Sequence, residues 1–255
     1  MTIIVEICVD TPDGLAAAIA AGADRIELCA ALALGGLTPT PGLMSLAAGT
    51  GVPIYAMIRP REGDFLATPA EIDLMRRDID AAREAGLAGV VLGVSDHHGR
   101  LDMEALSHLV AHADGLGRTL HRAFDLAPDP FGALEAAVEL GFERVLTSGG
   151  GARAIEALAL LRELVERAGD RISVMPGGGV NAENAGTILK ATGCTEIHAS
   201  CRSARIDIAP EAVALGFAAA PTRPATSEQG VRDLVAAVRA MLAGSWRSDW
   251  GAHIG

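Results

Sequence analysis

The sequence predicts one α/β domain, a single (β/α)8 TIM barrel that takes up all 255 residues. Short runs rich in β-branched residues alternate with longer runs rich in alanine and leucine, and eight such pairs follow one another. The chain also has the usual length of one such barrel. A doubly wound open sheet is the alternative, but it would carry a glycine-rich GxGxxG turn after its first strand. The chain reads Cys8-Val9-Asp10-Thr11-Pro12 there.

Each element follows from its composition and from the residues that begin or end helices. The predicted strands are residues 3–9, 24–30, 53–59, 88–94, 118–124, 142–147, 172–175 and 195–200. The predicted helices are residues 12–21, a short helix after the loop 35–41, and then about 69–85, 102–114, 130–140, 152–168, 181–191 and 228–243. A threonine before a proline predicts two of the helix starts, at Thr11 and Thr68, and a glycine follows the same helices at Gly22 and Gly86.

Two segments fall outside this repeat. Residues 203–227 contain Pro210, Pro221 and Pro224, and are predicted to form a long loop before the last helix. Residues 245–255 contain two tryptophans and are expected to form a loose tail or to cover a partner surface. The sequence is consistent with a monomer or with a homo-oligomer.

The composition narrows the class of function. Half of the residues are apolar and 21% are charged, which excludes a disordered chain. The net charge is −11, so we expect no nucleic-acid partner, because binding to phosphates requires a clustered basic face. No run approaches about 18 apolar residues and the N-terminus does not resemble a signal peptide. We therefore expect no membrane span, and a cytoplasmic location with reduced thiols.

The basic residues are almost all arginines. Of the 21 Lys and Arg residues, only Lys190 is a lysine, and it is predicted to lie on the helix after strand 7, away from the strand ends. Schiff-base chemistry and covalent attachment of pyridoxal phosphate need a lysine in the site, and are therefore disfavoured. No nucleotide cofactor is expected either, because no dinucleotide-binding turn is found.

Polar residues interrupt the apolar strands towards their C-terminal ends, where such barrels carry their active sites. Side chains alternate along a strand, so Glu6 and Cys8 share one face of strand 1, and Glu27 and Cys29 repeat this pair at similar depth on strand 2. A buried carboxylate must be paired, coordinated or neutralised. A structural ion network is one interpretation and a working site is the other. The candidate catalytic residues are Glu6, Glu27, His121 and Asp125.

A glycine-rich loop after strand 7 predicts an anion-binding site. Residues 177–179 are all glycine and precede a predicted helix that starts near Asn181, where backbone N–H groups can bind an anion. The alternative is that these glycines only turn the chain. The candidate substrate-binding residues are Arg59, Arg61, Arg122, Thr147, Ser148, Gly177, Gly178, Gly179, His198 and Ser200.

Two cysteines on neighbouring predicted strands, Cys8 and Cys29, are candidate metal ligands. Adjacent strands lie about 4.8 Å apart, so the two sulfurs can share one ion if the stagger of the barrel aligns them. Two thiolates in a reducing compartment select Cu(I) over harder ions. The alternative is that both thiols are small buried apolar groups.

Two specific motifs, Ile58-Arg-Pro-Arg61 and His121-Arg-Ala-Phe-Asp125, resemble those of the CutC copper-homeostasis family, and the similarity extends over residues 3–202. The other segments that carry the resemblance are Glu6-Ile-Cys8, Gly22–Cys29, Gly35–Pro39, Arg144–Gly149 and Gly177–Asn184. The resemblance implies a cytoplasmic (β/α)8 barrel with a role in copper handling, and it implies that Cys8 and Cys29 bind Cu(I). Strand 8 ends in His198-Ala199-Ser200, where the family commonly has His-Ser-Ser.

Two functions are consistent with these residues. A copper-binding protein would use the two cysteines as ligands. Guanidinium groups do not bind Cu(I), so the arginines would have no role in such a protein. An enzyme that acts on a small anionic metabolite would hold the anion with Arg59 and Arg61. Glu27 or Glu6 would be its general base, and His121 would polarise a carbonyl group or shuttle a proton. Lyase, isomerase or hydrolase chemistry fits such a site, and a sensor without catalysis remains open.

Overall fold

Eight parallel strands form the centre of the structure, a computed structural model that describes residues 2–243. The strands are β1 (Ile4–Val9), β2 (Arg25–Leu28), β3 (Ile54–Met57), β4 (Gly89–Leu92), β5 (Gly117–Leu120), β6 (Arg144–Thr147), β7 (Ser173–Pro176) and β8 (Glu196–Ala199). They are hydrogen-bonded in the order β7-β6-β5-β4-β3-β2-β1-β8, and β7 lies beside β8. The sheet therefore curves into a nearly closed barrel, which confirms the predicted fold class.

Helices cover the outside of the barrel. They are α1 (Pro12–Ala20), α2 (Pro41–Ala48), α3 (Pro69–Glu84), α4 (Met103–His112), α5 (Pro130–Glu139), α6 (Leu158–Ala168), α7 (Ala185–Thr192), α8 (Pro210–Ala214) and α9 (Glu228–Ala243). Thr11, Thr40 and Thr68 cap the first three helices, where each hydroxyl accepts a hydrogen bond from a backbone N–H of the first turn. A proline follows each threonine, because its missing N–H is not needed at a helix start.

The apolar core lies between the strands and the helices. Val5, Ile7 and Val9 of β1 are fully buried in this layer. Because side chains alternate along a strand, Glu6 and Cys8 of the same strand point into the barrel. The alternation that builds the core thus also directs the polar side chains towards the barrel axis.

Charged side chains fill the N-terminal half of the barrel interior around one tyrosine. The guanidinium carbons of Arg25 and Arg144 lie 5.5 and 4.9 Å from the ring centre of Tyr55. Arg25 forms ion pairs with Glu6 and Glu196. Nε of Arg144 lies 3.1 Å from Oε2 of Glu196. Each of these four charges has an opposite charge next to it, and this pairing makes their burial tolerable.

Strand 5 is shorter than predicted. It ends at Leu120 rather than continuing to residue 124, and residues 122–126 form a 3-10 turn. The side chain of His121 caps this turn, because its Nδ1 accepts a hydrogen bond from the N–H of Ala123. Asp125 therefore lies on a turn above the barrel rather than on a strand.

The helix after strand 7 starts later than predicted, at Ala185 instead of residue 181. The side chain of Asn181 accepts hydrogen bonds from the N–H groups of Glu183 and Asn184, which form a separate turn. Residues 177–179 are consequently not at the helix start. Lys190 is exposed on α7 and lies outside the barrel mouth, as predicted.

Residues 203–227 were predicted to be a long loop, and this prediction is wrong. Residues 202–206 and 222–226 form an antiparallel pair, β9 and β10, and α8 lies between them. Pro224 fits this two-stranded sheet because a proline is tolerated on an edge strand.

The predicted tail at 245–255 lies outside the described residues. Within residues 2–243, no helix combines the length and apolarity needed to cross a membrane.

Replacing Gly89 by alanine should destabilise the barrel, because the new Cβ would overlap the ring of Tyr55 and lie 2.6 Å from the carbonyl oxygen of Gly117. Overpacking of this kind costs about 1–3 kcal/mol. Gly186→Ala on α7 is the control, since no atom lies within 4 Å of its added Cβ. Denaturant unfolding should show a loss for Gly89→Ala and an unchanged or higher stability for Gly186→Ala. Equal stabilities would contradict the tight packing around Tyr55.

Candidate functional site

A cavity of about 200 Å³ lies at the C-terminal ends of the strands. The predicted site residues that line it are Cys8, Glu27, Arg59, His121, Arg122, Gly178, Gly179, His198 and Ser200. Phe65 and Arg202 also line it, although the sequence analysis did not select them. Three arginines therefore surround one cavity in a chain whose net charge is −11. This local positive charge favours an anionic ligand.

Cys8, Glu27 and His198 come together in one part of the cavity wall. The pairing of β1 with β2 places Cys8 opposite Glu27, and the pairing of β1 with β8 places His198 opposite Glu6. One ligand atom from each of the three residues lies within 4.8 Å of the others, and all three residues are buried. Nε2 of His198 is 3.8 Å from Oε2 of Glu27. Nδ1 of the same ring is 2.8 Å from Oε1 of Glu6.

The two buried glutamates have opposite pKa shifts. Burial acts to raise the pKa of Glu6, but Arg25 and His198 outweigh it and lower that pKa to about 2. Burial raises the pKa of Glu27, although the nearby charge of His198 opposes the change. Environments that separate the pKa values of two carboxyl groups are typical of acid–base sites. Glu6 stays ionised at neutral pH, whereas the raised pKa of Glu27 makes its carboxylate bind a proton more readily than that of an ordinary glutamate.

The imidazole of His198 is held by acidic neighbours. Burial acts to lower its pKa, but Cys8, Glu27 and Glu6 together raise it well above the usual value. Glu6 also fixes the ring through Nδ1. The Nε2 side of the ring is consequently directed towards Cys8 and Glu27.

Arg59 is held in the cavity wall by backbone carbonyl groups. Its Nη1 donates to the oxygens of Leu34 and Gly36 at 2.9 and 3.1 Å, and its Nη2 donates to the oxygen of Gly63 at 2.9 Å. Its guanidinium carbon lies 5.0 Å from the ring centre of Phe65. These contacts fix the position of the charge, which is a useful property in a binding site.

Arg61 and Asp125 do not line the cavity, contrary to the expectation that they join the other candidates there. Arg61 is directed outwards, where its Nε lies 2.7 Å from Glu71 and its Nη2 lies 2.8 Å from Asp64. Asp125 accepts a hydrogen bond from Nε of Arg122 at 2.7 Å. These competing partners lie outside the strands, so strand alternation does not reveal them.

Asp125 instead organises the loop after strand 6. Its carboxylate accepts hydrogen bonds from the hydroxyl of Thr147, from the N–H and hydroxyl of Ser148, and from the N–H of Gly150. Thr147 and Ser148 are therefore engaged beneath the rim and do not line the cavity. Glu6 likewise lies below the cavity, where Arg25 and His198 surround it.

The glycines after strand 7 divide between two environments. Gly177 donates its N–H to Thr147 at 2.9 Å and does not line the cavity. Gly178 and Gly179 line it and have φ values of +91° and +70°, which favour glycine. Binding of an anion by these two glycines stays a prediction, and its basis is the cavity rather than a helix start.

Cys29 lies further out along its strand than Cys8 along β1, because Cys8 is opposite Glu27. The expectation of similar depth is therefore wrong. Cys29 donates from Sγ to Oε2 of Glu27 at 3.5 Å and does not line the cavity. Burial and the charge of Glu27 raise the pKa of the Cys29 thiol well above its usual value. Both thiols nevertheless pack in one small cluster with Met57.

Sequence reasoning missed the residues that support the site from below. Arg25 shares a strand face with Glu27, so alternation contained the signal for it. Glu196 bears the same relation to His198. Arg202 follows strand 8 directly but belongs to a segment that falls outside the strand–helix repeat.

The fold and cavity define a (β/α)8 barrel protein with a buried cysteine, glutamate and histidine at its functional end. The chain belongs to the CutC family, because the model of that family matches residues 3–203. It is 55% identical to family protein CutC of Sinorhizobium medicae over 94% of this chain and 98% of that protein. It is 53% identical to family protein CutC of Caulobacter vibrioides over 94% of this chain and 98% of that protein.

A solved structure supports the same assignment. CutC of Streptococcus agalactiae, a protein named for copper homeostasis, matches with a TM-score of 0.74 and 36% sequence identity. The match covers 77% of this chain and 98% of that one. The predicted membership of the CutC family is therefore confirmed.

The free energy of unfolding should depend on pH through the ionisation of Glu6. Its pKa is lowered from 4.5 to about 2, so it stabilises the folded state above pH 4.5, and this contribution is lost as the pH falls towards 2. Glu6→Gln breaks a buried ion pair and should cost about 3–5 kcal/mol at pH 7. Its free energy of unfolding should then fall less steeply than that of wild type between pH 4.5 and 3.

Denaturant unfolding at several pH values measures this difference. Glu135→Gln is the control, because Glu135 forms an exposed ion pair with Arg171. A pH profile of Glu6→Gln as steep as that of wild type would show that Glu6 is not the group that titrates.

Proposed function

We propose that the protein is an enzyme that transfers a proton to and from a small anionic metabolite. The observation that carries the proposal is Glu27, a buried carboxyl with a raised pKa in a cavity lined by three arginines. A general base is most effective when its pKa lies near the working pH. The cavity of about 200 Å³ is smaller than pockets for drug-sized ligands, which measure about 300–1,000 Å³. It therefore suits a metabolite of a few carbons.

The chemistry follows from the arrangement of these groups. Arg59 and Arg202 supply positive charge that draws in the anion, and Arg122, which is paired with Asp125, adds N–H donors. The Glu27 carboxylate takes a proton from a carbon next to a carbonyl group, and the electron pair of that C–H bond stays on the substrate. Return of the proton to a neighbouring atom completes an isomerisation, and departure of a neighbouring group completes an elimination. His198 stabilises the Glu27 carboxylate before the transfer, since its Nε2 lies 3.8 Å away.

Proton exchange in D2O tests this function without knowledge of the product. We expect wild type to replace C–H signals by deuterium in at least one member of a panel of small carbonyl acids and sugar phosphates, followed by proton NMR. Glu27→Gln should lower the exchange rate by about 10²–10⁴-fold, the usual contribution of a general base. Glu62→Gln is the control, because Glu62 is exposed on the loop after β3. The proposal fails if Glu27→Gln exchanges as fast as wild type or if no compound exchanges.

Binding of Cu(I) is the second candidate function, with copper as the cargo of the protein. The cysteine sulfur and imidazole nitrogen of Cys8 and His198 are donors that suit Cu(I), and they are buried next to each other. Glu6 orients the imidazole through Nδ1, as carboxylates commonly do behind a metal-binding histidine. Cys29 can add a second sulfur ligand if its hydrogen bond to Glu27 breaks. The name of the Streptococcus agalactiae relative supports the same function. A cytoplasmic location belongs to this proposal, because reduced thiols are required.

Anaerobic competition with a Cu(I) chelator tests the copper site. Cys8→Ser removes a ligand and should lower the affinity by more than the roughly 10–100-fold that an outer-shell partner contributes. Cys29→Ser should lower it less, because Cys29 lies outside the cavity wall. Cys194→Ser is the control, since Cys194 is buried next to Thr192 and does not line the cavity. Equal affinities of wild type and Cys8→Ser would exclude the site.

A further inference from the structure

Three hydrogen-bond donors in the cavity wall have no acceptor among residues 2–243, namely Nε of Arg59, Nε2 of His121 and Nε of Arg202. Arg59 and His121 are 8% and 3% exposed, and both line the cavity. Nε of Arg59 and Nε2 of His121 are buried, and neither has a hydrogen-bond partner among residues 2–243. A buried polar group without a partner destabilises a protein by about 1–3 kcal/mol. Three such groups at one cavity therefore indicate a ligand that completes them.

The nitrogen of Arg59 that has no partner is Nε, since Nη1 donates to two carbonyl oxygens and Nη2 donates to a third. Within the part of the chain that the structure describes, no carboxylate forms an ion pair with Arg59. The groups that contact its positive charge are backbone carbonyl oxygens and the ring of Phe65. An acceptor that carries negative charge would bind to it more strongly than a neutral one.

The free position on His121 is also a donor. Its Nδ1 accepts the N–H of Ala123 at 3.2 Å, so the proton of the neutral ring is on Nε2. Burial, and then the charge of Arg59, lower the pKa of His121 to about 3. The ring is therefore neutral at pH 7 and offers one N–H without adding a charge.

Phe65 holds both donors in place. Its ring centre is 5.0 Å from the guanidinium carbon of Arg59 and 4.7 Å from the ring centre of His121. Arg59 and His121 therefore pack against the same aromatic side chain, which restrains both of them.

We propose that Arg59 Nε–H and His121 Nε2–H bind one carbonyl oxygen of the substrate, which is a small 2-oxo acid or a related planar oxo compound. One fixed positive charge and one neutral donor match an oxygen that becomes negative when a proton leaves the neighbouring carbon. This inference rests on the proposed function and specifies its substrate class. The carboxylate of the same compound lies towards Arg122 and Arg202, the other two arginines of the cavity.

Binding of 2-oxo acids tests the subsite directly. The probes are glyoxylate, pyruvate, oxaloacetate and 2-oxoglutarate, each paired with its 2-hydroxy counterpart, which lacks the carbonyl oxygen. With protein labelled with 15N in histidine, at least one 2-oxo acid should shift the Nε2 resonance of His121. Its hydroxy counterpart should bind at least about 10-fold more weakly, the loss expected for a mismatched hydrogen bond.

His121→Asn is the test variant, because its side-chain oxygen can still accept the N–H of Ala123 and keep the 3-10 turn capped. It should bind the 2-oxo acid at least about 10-fold more weakly than wild type. Arg162→Gln is the control, since Arg162 forms an exposed ion pair with Glu166 on α6 and does not line the cavity. If His121→Asn does not fold, the His121 resonance of wild type still decides the question. An unmoved resonance with all four probes, or equal affinity of His121→Asn, would overturn the subsite.

The subsite and the enzyme can fail separately. Binding of a 2-oxo acid with the expected His121 shift but without deuterium exchange would overturn the proposed function and leave the subsite intact. Exchange that persists at the wild-type rate in His121→Asn would overturn the subsite and leave the function intact.

Discussion

The ion pair between Arg25 and Glu6 is the interaction on which the barrel interior depends. Arg25 also pairs with Glu196 on β8, and its Nη2 lies 3.2 Å from the sulfur of Met175 on β7. One guanidinium group therefore joins four strands at the place where the sheet closes. Because Glu6 is kept ionised, it can hold His198, which in turn lies next to Glu27. Barrel closure and the electrostatics of the cavity thus share one residue.

The interior divides into two layers with different hydrogen-bonding states. In the N-terminal layer, the charges of Arg25, Arg144, Glu6 and Glu196 are paired with one another. In the C-terminal layer, several polar atoms have no partner among the described residues, including an oxygen of Glu27. Barrels usually fill their interior with branched apolar side chains, which cannot provide such a contrast. The lower layer stabilises the fold, and the upper layer is left available for a ligand.

Strand alternation explains which parts of this site could be predicted. It correctly placed Cys8, Glu27 and His198 inside the barrel, because each lies on a strand whose outer face is apolar. It could not place Arg61 or Asp125, because both lie beyond the ends of their strands. Their directions are set by partners elsewhere in the chain, such as Glu71 on α3 for Arg61 and Thr147 on β6 for Asp125.

The sequence also could not predict how deep each residue lies along the barrel axis. Glu6-Ile-Cys8 and Glu27-Leu-Cys29 look equivalent in the sequence, but β1 and β2 are staggered by two residues. The stagger is a property of the closed barrel as a whole and not of either strand. Cys8 therefore faces Glu27 and His198 rather than Cys29.

The scarcity of lysine has a practical consequence for work with this protein. Lys190 is exposed on α7 and does not line the cavity, and it is the only lysine in the chain. An amine-reactive fluorophore or surface linker can therefore attach through a side chain at this position alone, besides the terminal amine. The cavity has arginines where many barrels would place lysines, so its charges survive such labelling. A molecule that is labelled or immobilised through Lys190 therefore keeps its cavity chemically untouched.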